Sequence, residues 1–109
     1  MGDVNGVALV ALRAGCAAWA AWRAEHKGVD PGLSGSDLSE LDLTGCDLAG
    51  LDLSECDLFR TNLSGADLKM SCLRGADLSH ATLVLTELAG VDLTCATLTE
   101  TDLTGVRGV

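Results

Sequence analysis

The sequence predicts an all-β solenoid preceded by a short helical segment, because leucine recurs at every fifth position. Five residues advance an α-helix ~140° beyond a full turn, which would scatter these leucines around its circumference. A continuous strand would place successive leucines on opposite faces. The chain must therefore bend once in each unit of five. The fifteen leucines are Leu33, Leu38, Leu43, Leu48, Leu53, Leu58, Leu63, Leu68, Leu73, Leu78, Leu83, Leu88, Leu93, Leu98 and Leu103.

The residues around each leucine divide into inward positions, outward positions and corners. The position two residues before leucine is mostly small or apolar, as an inward site requires: Cys46, Cys56, Ala66, Ala76, Ala81 and Ala96, with Leu41, Leu51 and Val91. The position just before leucine is mostly acidic, as an outward site allows: Asp37, Asp42, Asp47, Asp52, Asp57, Asn62, Asp67, Asp77, Glu87, Asp92 and Asp102. Glycine is frequent two residues after leucine, where it suits a corner. Each unit is therefore predicted to be a very short strand plus a bend, wound into a solenoid.

Several units resemble the A(D/N)LxX repeats of the pentapeptide-repeat proteins. They include Cys-Asp-Leu-Ala-Gly at 46–50, Thr-Asn-Leu-Ser-Gly at 61–65 and Ala-Asp-Leu-Lys-Met at 66–70. The resemblance extends from about Pro31 to Gly105 and implies a right-handed quadrilateral parallel β-helix with four units per coil. Fifteen units then give about four coils, or roughly 18 Å of rod at ~4.8 Å per coil. The period does not fit leucine-rich repeats, and calcium-binding β-helix repeats need a G-G-x-G-x-D motif that is absent.

The segment before the repeats is predicted to cap the first coil. Residues 5–27 are rich in good helix formers and carry apolar residues at helical spacing, so we expect one α-helix there. The domain boundaries that follow are a helical cap over 1–30 and the β-helix over 31–109. Trp19 and Trp22 resemble the W-x-x-W-R entry segment that often precedes such repeats, and we interpret them as packing residues of the cap.

Charge and cysteine content limit the classes of partner and location. Of the net charge of −9, residues 1–30 contribute nothing, because three acids balance three bases there, and the repeats carry all of the excess. A negative rod repels phosphate, so we expect no direct nucleic-acid partner and no membrane partner. The five cysteines, in an odd number and without metal-ligand spacing, predict free thiols in a reducing cytoplasm. We expect Cys46 and Cys56, at inward positions, to be inert packing residues. Cys72 and Cys95 face outward and should be open to oxidation; the fifth cysteine is Cys16.

The residues that carry chemistry in enzymes are sparse in this sequence. His26 and His80 are the only histidines, and there is no glycine-rich phosphate loop, Ser/His/Asp set or metal-ligand spacing. A rigid solenoid filled by leucine also offers no pocket. We therefore expect no catalysis, no metal and no cofactor.

The best candidates for partner contacts are exposed columns of the predicted coil. Glu40, Arg60, His80 and Glu100 fall in one column, interpreted as a solvated charge ladder with His80 as a pH-responsive alternative. Apolar residues interrupt the outer face at Phe59, Val84 and Leu85. Two carboxylate columns are predicted, Asp37, Asp57 and Asp77 in one and Asp47, Asp67 and Glu87 in the other. Their ordinary role is to be hydrated and to accept hydrogen bonds in the bends.

Two functions remain open at this point. The first is a non-catalytic interaction or scaffold module that dimerises end to end through its C-terminal residues Leu103, Val106 and Val109, unless the natural chain continues beyond them. The second is mimicry of DNA by the carboxylate columns, because dimeric members of the family that this chain resembles bind bacterial topoisomerases and confer quinolone tolerance. A short rod, repeats without an interrupting loop and the lack of a dimerising helix after Leu103 weaken that transfer, so binding to DNA gyrase is the alternative.

Overall fold

Two short helices open the chain in the computed structural model, which describes residues 4–109. Helix α1 spans Val4–Arg13 and helix α2 spans Cys16–Glu25. The prediction of one continuous helix over 5–27 is therefore wrong, because Gly15 interrupts it with a φ of 119°. That backbone conformation is open to glycine and rarely to other residues. Residues 1–3 of the predicted cap lie outside the described residues.

The rest of the chain winds into a coil with a period of twenty residues. Isolated parallel bridges join residues twenty apart, as in Asp37 to Asp57 and Asp57 to Asp77. Four five-residue units thus complete one turn of the coil. No longer strand forms among residues 4–109, so the predicted short strand is reduced to one bridging residue per unit, the one before leucine. A unit of five holds only that bridge between two corners.

Most corners of the coil are turns closed by a backbone hydrogen bond. The carbonyl of the leucine accepts from the N–H three residues later, as between Leu68 and Ser71 at 3.0 Å. The third residue of the turn has a positive φ, 68° at Gly65 and 61° at Leu85. Glycine adopts this conformation without steric cost, whereas other residues do so at some strain. The corner assignment from the glycine pattern therefore also holds at units where glycine is replaced.

Successive coils are joined by a hydrogen-bond ladder with a direction. The N–H of Leu48 donates to Asp67 O at 2.8 Å and that of Gly50 donates to Lys69 O at 2.8 Å, both in the following coil. The N–H of Asp67 donates back to Cys46 O at 2.9 Å. The same three bonds recur from coil to coil. Each coil therefore presents leucine N–H groups toward the C-terminal end and their acceptor carbonyls toward the N-terminal end.

The leucine column forms the core of the coil. From Leu33 to Leu88 every leucine of the column is buried. Leu93 is half-buried, whereas Leu98 is 38% exposed and Leu103 is 39% exposed. The expectation that Leu98 belongs to the dry interior is therefore wrong, because no further coil of the described chain covers the last one. The rod measures 39 × 23 × 21 Å, helices included.

Hydroxyl groups share the interior with the leucines. Thr61, Ser71 and Thr86 are buried at the inward position that the sequence pattern marks as small or apolar. Thr61 Oγ1 donates to Leu38 O at 2.7 Å, and Ser71 Oγ donates to Leu68 O at 2.7 Å. Because each hydroxyl is satisfied by a backbone carbonyl, its burial carries little penalty.

The two helices lie over the first coil and bury one face against it. Ala8, Leu12, Trp19 and Trp22 are buried and belong to the same apolar cluster as the leucine column. The two indole rings stack at 5.8 Å, and the indole N–H of Trp22 is buried without a hydrogen-bond partner in the described structure. Neither ten-residue helix in the described range is long and apolar enough to cross a membrane.

Polar contacts and one covalent bond attach these helices to the coil. Arg13 donates to Asp37 O at 2.7 Å and Trp19 Nε1 donates to Asp47 O at 2.9 Å. Cys16 and Cys46 form a disulfide, with their Cα atoms 5.2 Å apart. The prediction of five free thiols, with Cys46 an inert packing residue, is therefore wrong. The helices bring Cys16 over the first coil across a separation of 30 residues, which spacing in the sequence does not reveal.

Candidate interaction surfaces

The C-terminal end of the coil is an open apolar face. Leu98 and Leu103 are partly exposed there, and Val109 is 89% exposed. Val106, by contrast, packs against the core and its N–H donates to Leu103 O at 3.2 Å. Two of the three residues predicted for self-association thus lie on the accessible surface of this end, and the third supports it from within.

Unpaired backbone groups surround that apolar face. In the inner coils the N–H of each column leucine donates to the next coil, but those of Leu93, Leu98 and Leu103 find no acceptor within residues 4–109. The equivalent carbonyls of inner coils, such as Ala76 O, accept a hydrogen bond from the following coil. The carbonyls of Ala96 and Thr101 have no such donor within residues 4–109. Open edges of this kind are templates for pairing with another chain.

The predicted carboxylate columns form as expected in space. Bridges join Asp37, Asp57 and Asp77 in one column, and Asp47, Asp67 and Glu87 in the other. The aspartates also hold the bends: Oδ1 of Asp37 accepts from the N–H of Ser39 at 3.0 Å. The hydroxyl and then the N–H of Ser39 keep the pKa of Asp37 below its ordinary value. One carboxylate oxygen of each aspartate is thus used by the fold.

The column that contains His80 is exposed, and its side chains contact one another and the ring of Phe59. Arg60 and Glu40 approach to 4.0 Å with both side chains largely exposed, a geometry that contributes little to stability. Phe59 is half-buried rather than freely outward, because His80 lies edge-on to its ring at 5.6 Å and the Arg60 guanidinium lies 5.4 Å from the ring centre. This arrangement reduces the apolar surface that Phe59 offers to a partner.

Two apolar corners are more accessible. Leu85 is 52% exposed, while the adjacent Val84 is half-buried. Met70 is 72% exposed and was missed by the sequence reasoning. Its signal is a large apolar residue at a corner position where glycine is common. Its side chain lies over Gly90 of the next coil, as that of Leu85 lies over Gly105.

The remaining cysteines differ in exposure, and one cleft lies beside the helices. Burial raises the pKa of Cys56 to about 11, and its Sγ lies 3.0 Å from Leu33 O. Cys72 is half-buried and Cys95 is exposed. A cleft of about 450 Å³ between α2 and the first coil is lined by Trp19 and Arg23 among others, without histidine or cysteine. No cluster of three potential metal ligands occurs in the described part of the chain.

These features define a repeat solenoid, with a five-residue unit and a leucine-filled interior. A family model for pentapeptide repeats matches in eight copies over residues 33–69 and 71–107. The chain belongs to the pentapeptide-repeat family. Members of this family are generally non-catalytic structural or interaction modules. No curated protein sequence matches this chain.

Several solved structures are similar to this chain. A pentapeptide repeat protein from Nostoc is 36% identical with a TM-score of 0.64, and the match covers 68% of this chain and 64% of that one. HetL from Nostoc, described as involved in heterocyst differentiation regulation, is 34% identical with a TM-score of 0.42, over 70% of this chain and 39% of HetL. A protein of the Arabidopsis thaliana thylakoid lumen is 25% identical with a TM-score of 0.47, over 73% and 70%. This chain thus spans less than two thirds of the length of either Nostoc protein.

Proposed function

We propose that the protein is a non-catalytic interaction or scaffold module that dimerises end to end through its last coil. The observation that carries this proposal is the open C-terminal face, with exposed Leu98 and Leu103 inside a rim of unpaired backbone groups. The proposal includes a right-handed quadrilateral form of the β-helix. The twenty-residue period and the nearly equal widths of 23 and 21 Å support a four-sided cross-section.

The asymmetry of the rod favours a closed dimer. Helices α1 and α2 cover the N-terminal end, so within residues 4–109 the C-terminal end is the uncovered one. Two copies then meet through the same face, and a contact of this kind closes with two-fold symmetry. The two-fold axis turns the N–H groups of Leu98 and Leu103 toward the edge of the partner, where the carbonyls of Ala96 and Thr101 are free to accept. Burial of the exposed leucines supplies the apolar contribution.

Sedimentation at micromolar concentration tests the dimer. We expect a particle of about 22 kDa, twice the 11.2 kDa of the chain. Leu98→Glu should give a monomer, because it places a charge in the centre of the interface. Leu85→Glu is the matched control, since it puts the same charge on an exposed leucine at the side of the rod. A wild-type monomer, or equal loss of the dimer in both variants, contradicts the proposal.

A second candidate function is that of a DNA mimic that binds DNA gyrase. The observation that favours it is the alignment of Asp47, Asp67 and Glu87 in one partly exposed column, parallel to a second carboxylate column. A supercoiling assay with purified gyrase, with and without quinolone, tests it. We expect inhibition or protection that is lost in Asp47→Asn/Asp67→Asn, which removes charge but keeps the side-chain oxygen in each bend. If excess protein neither inhibits gyrase nor protects it from quinolone, this function is contradicted.

A further inference from the structure

The N-terminal end of the coil has the form of a second self-association surface, hidden by the helices. We propose that its occupant is the last coil of another copy, and that the Cys16–Cys46 disulfide keeps the helical cap closed over it. Here the cap means helices α1 and α2. This inference goes beyond the dimer, because it joins opposite ends of two molecules rather than equal ends. It shares with the dimer only the use of the C-terminal face.

The cap occupies the hydrogen-bond acceptors that a preceding coil would use. Inside the rod, Leu38 N–H donates to Asp57 O and Leu48 N–H donates to Asp67 O, both at 2.8 Å. The equivalent carbonyls of the first coil are those of Asp37 and Asp47. They accept instead from Arg13 at 2.7 Å and from Trp19 at 2.9 Å. Side-chain donors of the cap thus replace the backbone donors of a coil.

The last coil carries the donors that match these acceptors in register. Leu78 N–H donates to Thr97 O and Leu88 N–H donates to Arg107 O, both at 2.8 Å. Leu98 lies twenty residues after Leu78, and its N–H has no acceptor within residues 4–109. In a stacked second copy, the carbonyl in line with this N–H is that of Asp37. The N–H of Gly108 stands in the column of Asp47 in the same way. A second copy stacked head to tail would therefore continue the ladder of the rod without a change of register.

The disulfide lies at the same boundary. Cys46 is buried in the first coil, and Cys16 is half-buried with its Sγ 3.5 Å from Thr44 O. Thr44 O is itself an acceptor position for a preceding coil, as Ser64 O is for Gly45 N–H. The covalent bond therefore fixes the cap directly over an unfilled position of the ladder.

A dithiol reductant opens this bond in two balanced steps. Its first thiolate attacks the more accessible sulfur, that of Cys16, and forms a mixed disulfide while Cys46 leaves as a thiolate and takes up a proton. The second thiol of the reductant then attacks the mixed disulfide and releases the Cys16 thiol. The protein gains two electrons and two protons, and the reductant becomes a cyclic disulfide. The freed Cys16 thiol can donate to Thr44 O.

Loss of the cross-link shifts the cap toward opening. Removing a loop constraint of this size raises the equilibrium constant for opening by roughly 10²-fold. Open molecules have two complementary faces of opposite kind. Contacts between unlike faces along one axis do not close, so they produce rods that grow with concentration.

The test compares oxidised protein with protein treated with dithiothreitol. The background is Cys72→Ser/Cys95→Ser, which removes cross-links between molecules through the accessible thiols. After reduction we expect a series of particles larger than a dimer in sedimentation velocity, and elongated rods by electron microscopy. Tryptophan emission should shift to the red, because the two tryptophans of the chain both lie in α2. Cys16→Ser should behave in the same way without reductant.

The controls separate this inference from the dimer. Leu98→Glu should prevent the growth of rods after reduction, because it places a charge on the last coil that would occupy the opened face. Rods that still grow in this variant overturn the proposal. Reduced protein that keeps the size of the oxidised form also overturns it, with or without an emission shift. An oxidised monomer that grows on reduction supports this inference and contradicts the dimer. An oxidised dimer that does not grow on reduction supports the dimer and contradicts this inference.

Discussion

Single hydroxyl groups inside the coil have a measurable role at the scale of the residue. Thr61 donates to Leu38 O from a fully buried position. Thr61→Val keeps the volume but leaves this carbonyl without its donor, so the free energy of unfolding should fall by about 1–3 kcal/mol. Thr61→Ser keeps the donor and is the control. Urea unfolding followed by circular dichroism measures both, and a valine variant as stable as wild type contradicts the assignment.

The aspartates of the bends make stability depend on pH. The hydroxyl and N–H of Thr44 lower the pKa of Asp42 from its ordinary value of 3.8, and Thr104 lowers that of Asp102 in the same way. A lowered pKa in the folded state means that the unfolded chain binds the proton more tightly. The contribution to stability is therefore complete above 3.8 and is lost as the pH falls through the folded-state pKa.

Asparagine variants test this dependence. Asn62 already accepts the Ser64 N–H at 3.0 Å, so asparagine can hold a bend without titrating. Asp42→Asn/Asp102→Asn should therefore show a smaller drop in melting temperature between about pH 7 and about pH 3 than wild type does. An unchanged drop would show that other groups cause the acid sensitivity.

At the scale of the element, the cap distinguishes two tryptophans of equal size. The indole N–H of Trp19 has a partner in Asp47 O, whereas that of Trp22 is buried without one. Replacement by phenylalanine removes similar volume at both sites, but only Trp19→Phe breaks a hydrogen bond. We expect Trp19→Phe to cost about 1–2 kcal/mol more than Trp22→Phe in chemical unfolding. Equal losses would contradict the hydrogen-bond role.

The repeating element was more predictable than the cap. A leucine at every fifth residue with glycine at the corners is a local, periodic pattern, so it predicted the inward column and the bends. The break at Gly15 has a weak signal in the sequence, a single glycine in an alanine-rich segment. The helical spacing of the apolar residues on both sides therefore predicted one helix instead of two. The disulfide depends on how the cap folds back over the coil, and no local pattern encodes that distance. Met70 was passed over because a corner position tolerates several residue types.

At the scale of the whole molecule, excess negative charge opposes the compact rod. The repeats carry thirteen acids against four bases, and bridged carboxylates of like sign stack along the same columns. Salt shortens the Debye length from ~30 Å at about 0.01 M to ~10 Å at about 0.1 M, which weakens this repulsion. The melting temperature should therefore rise with sodium chloride over that range, as differential scanning calorimetry would show. A fall would mean that ion pairs such as Arg74 with Asp92 outweigh the repulsion.

The expectation of a cytoplasmic location was also made at this scale. It depended on unpaired cysteines, and the bond between Cys16 and Cys46 removes that support. Disulfides persist mainly in oxidising compartments. The location therefore stays a prediction without a structural argument in its favour.

The twenty-residue period has a consequence for how such a molecule can change in length. An insertion of one quintet would rotate everything after it by a quarter of a revolution, so every residue downstream would move to the adjacent side of the rod. An insertion of four quintets would complete a revolution and return every downstream residue to its original side, one coil further along the rod. Insertions that keep the downstream residues on their original sides of the rod therefore come in multiples of twenty residues.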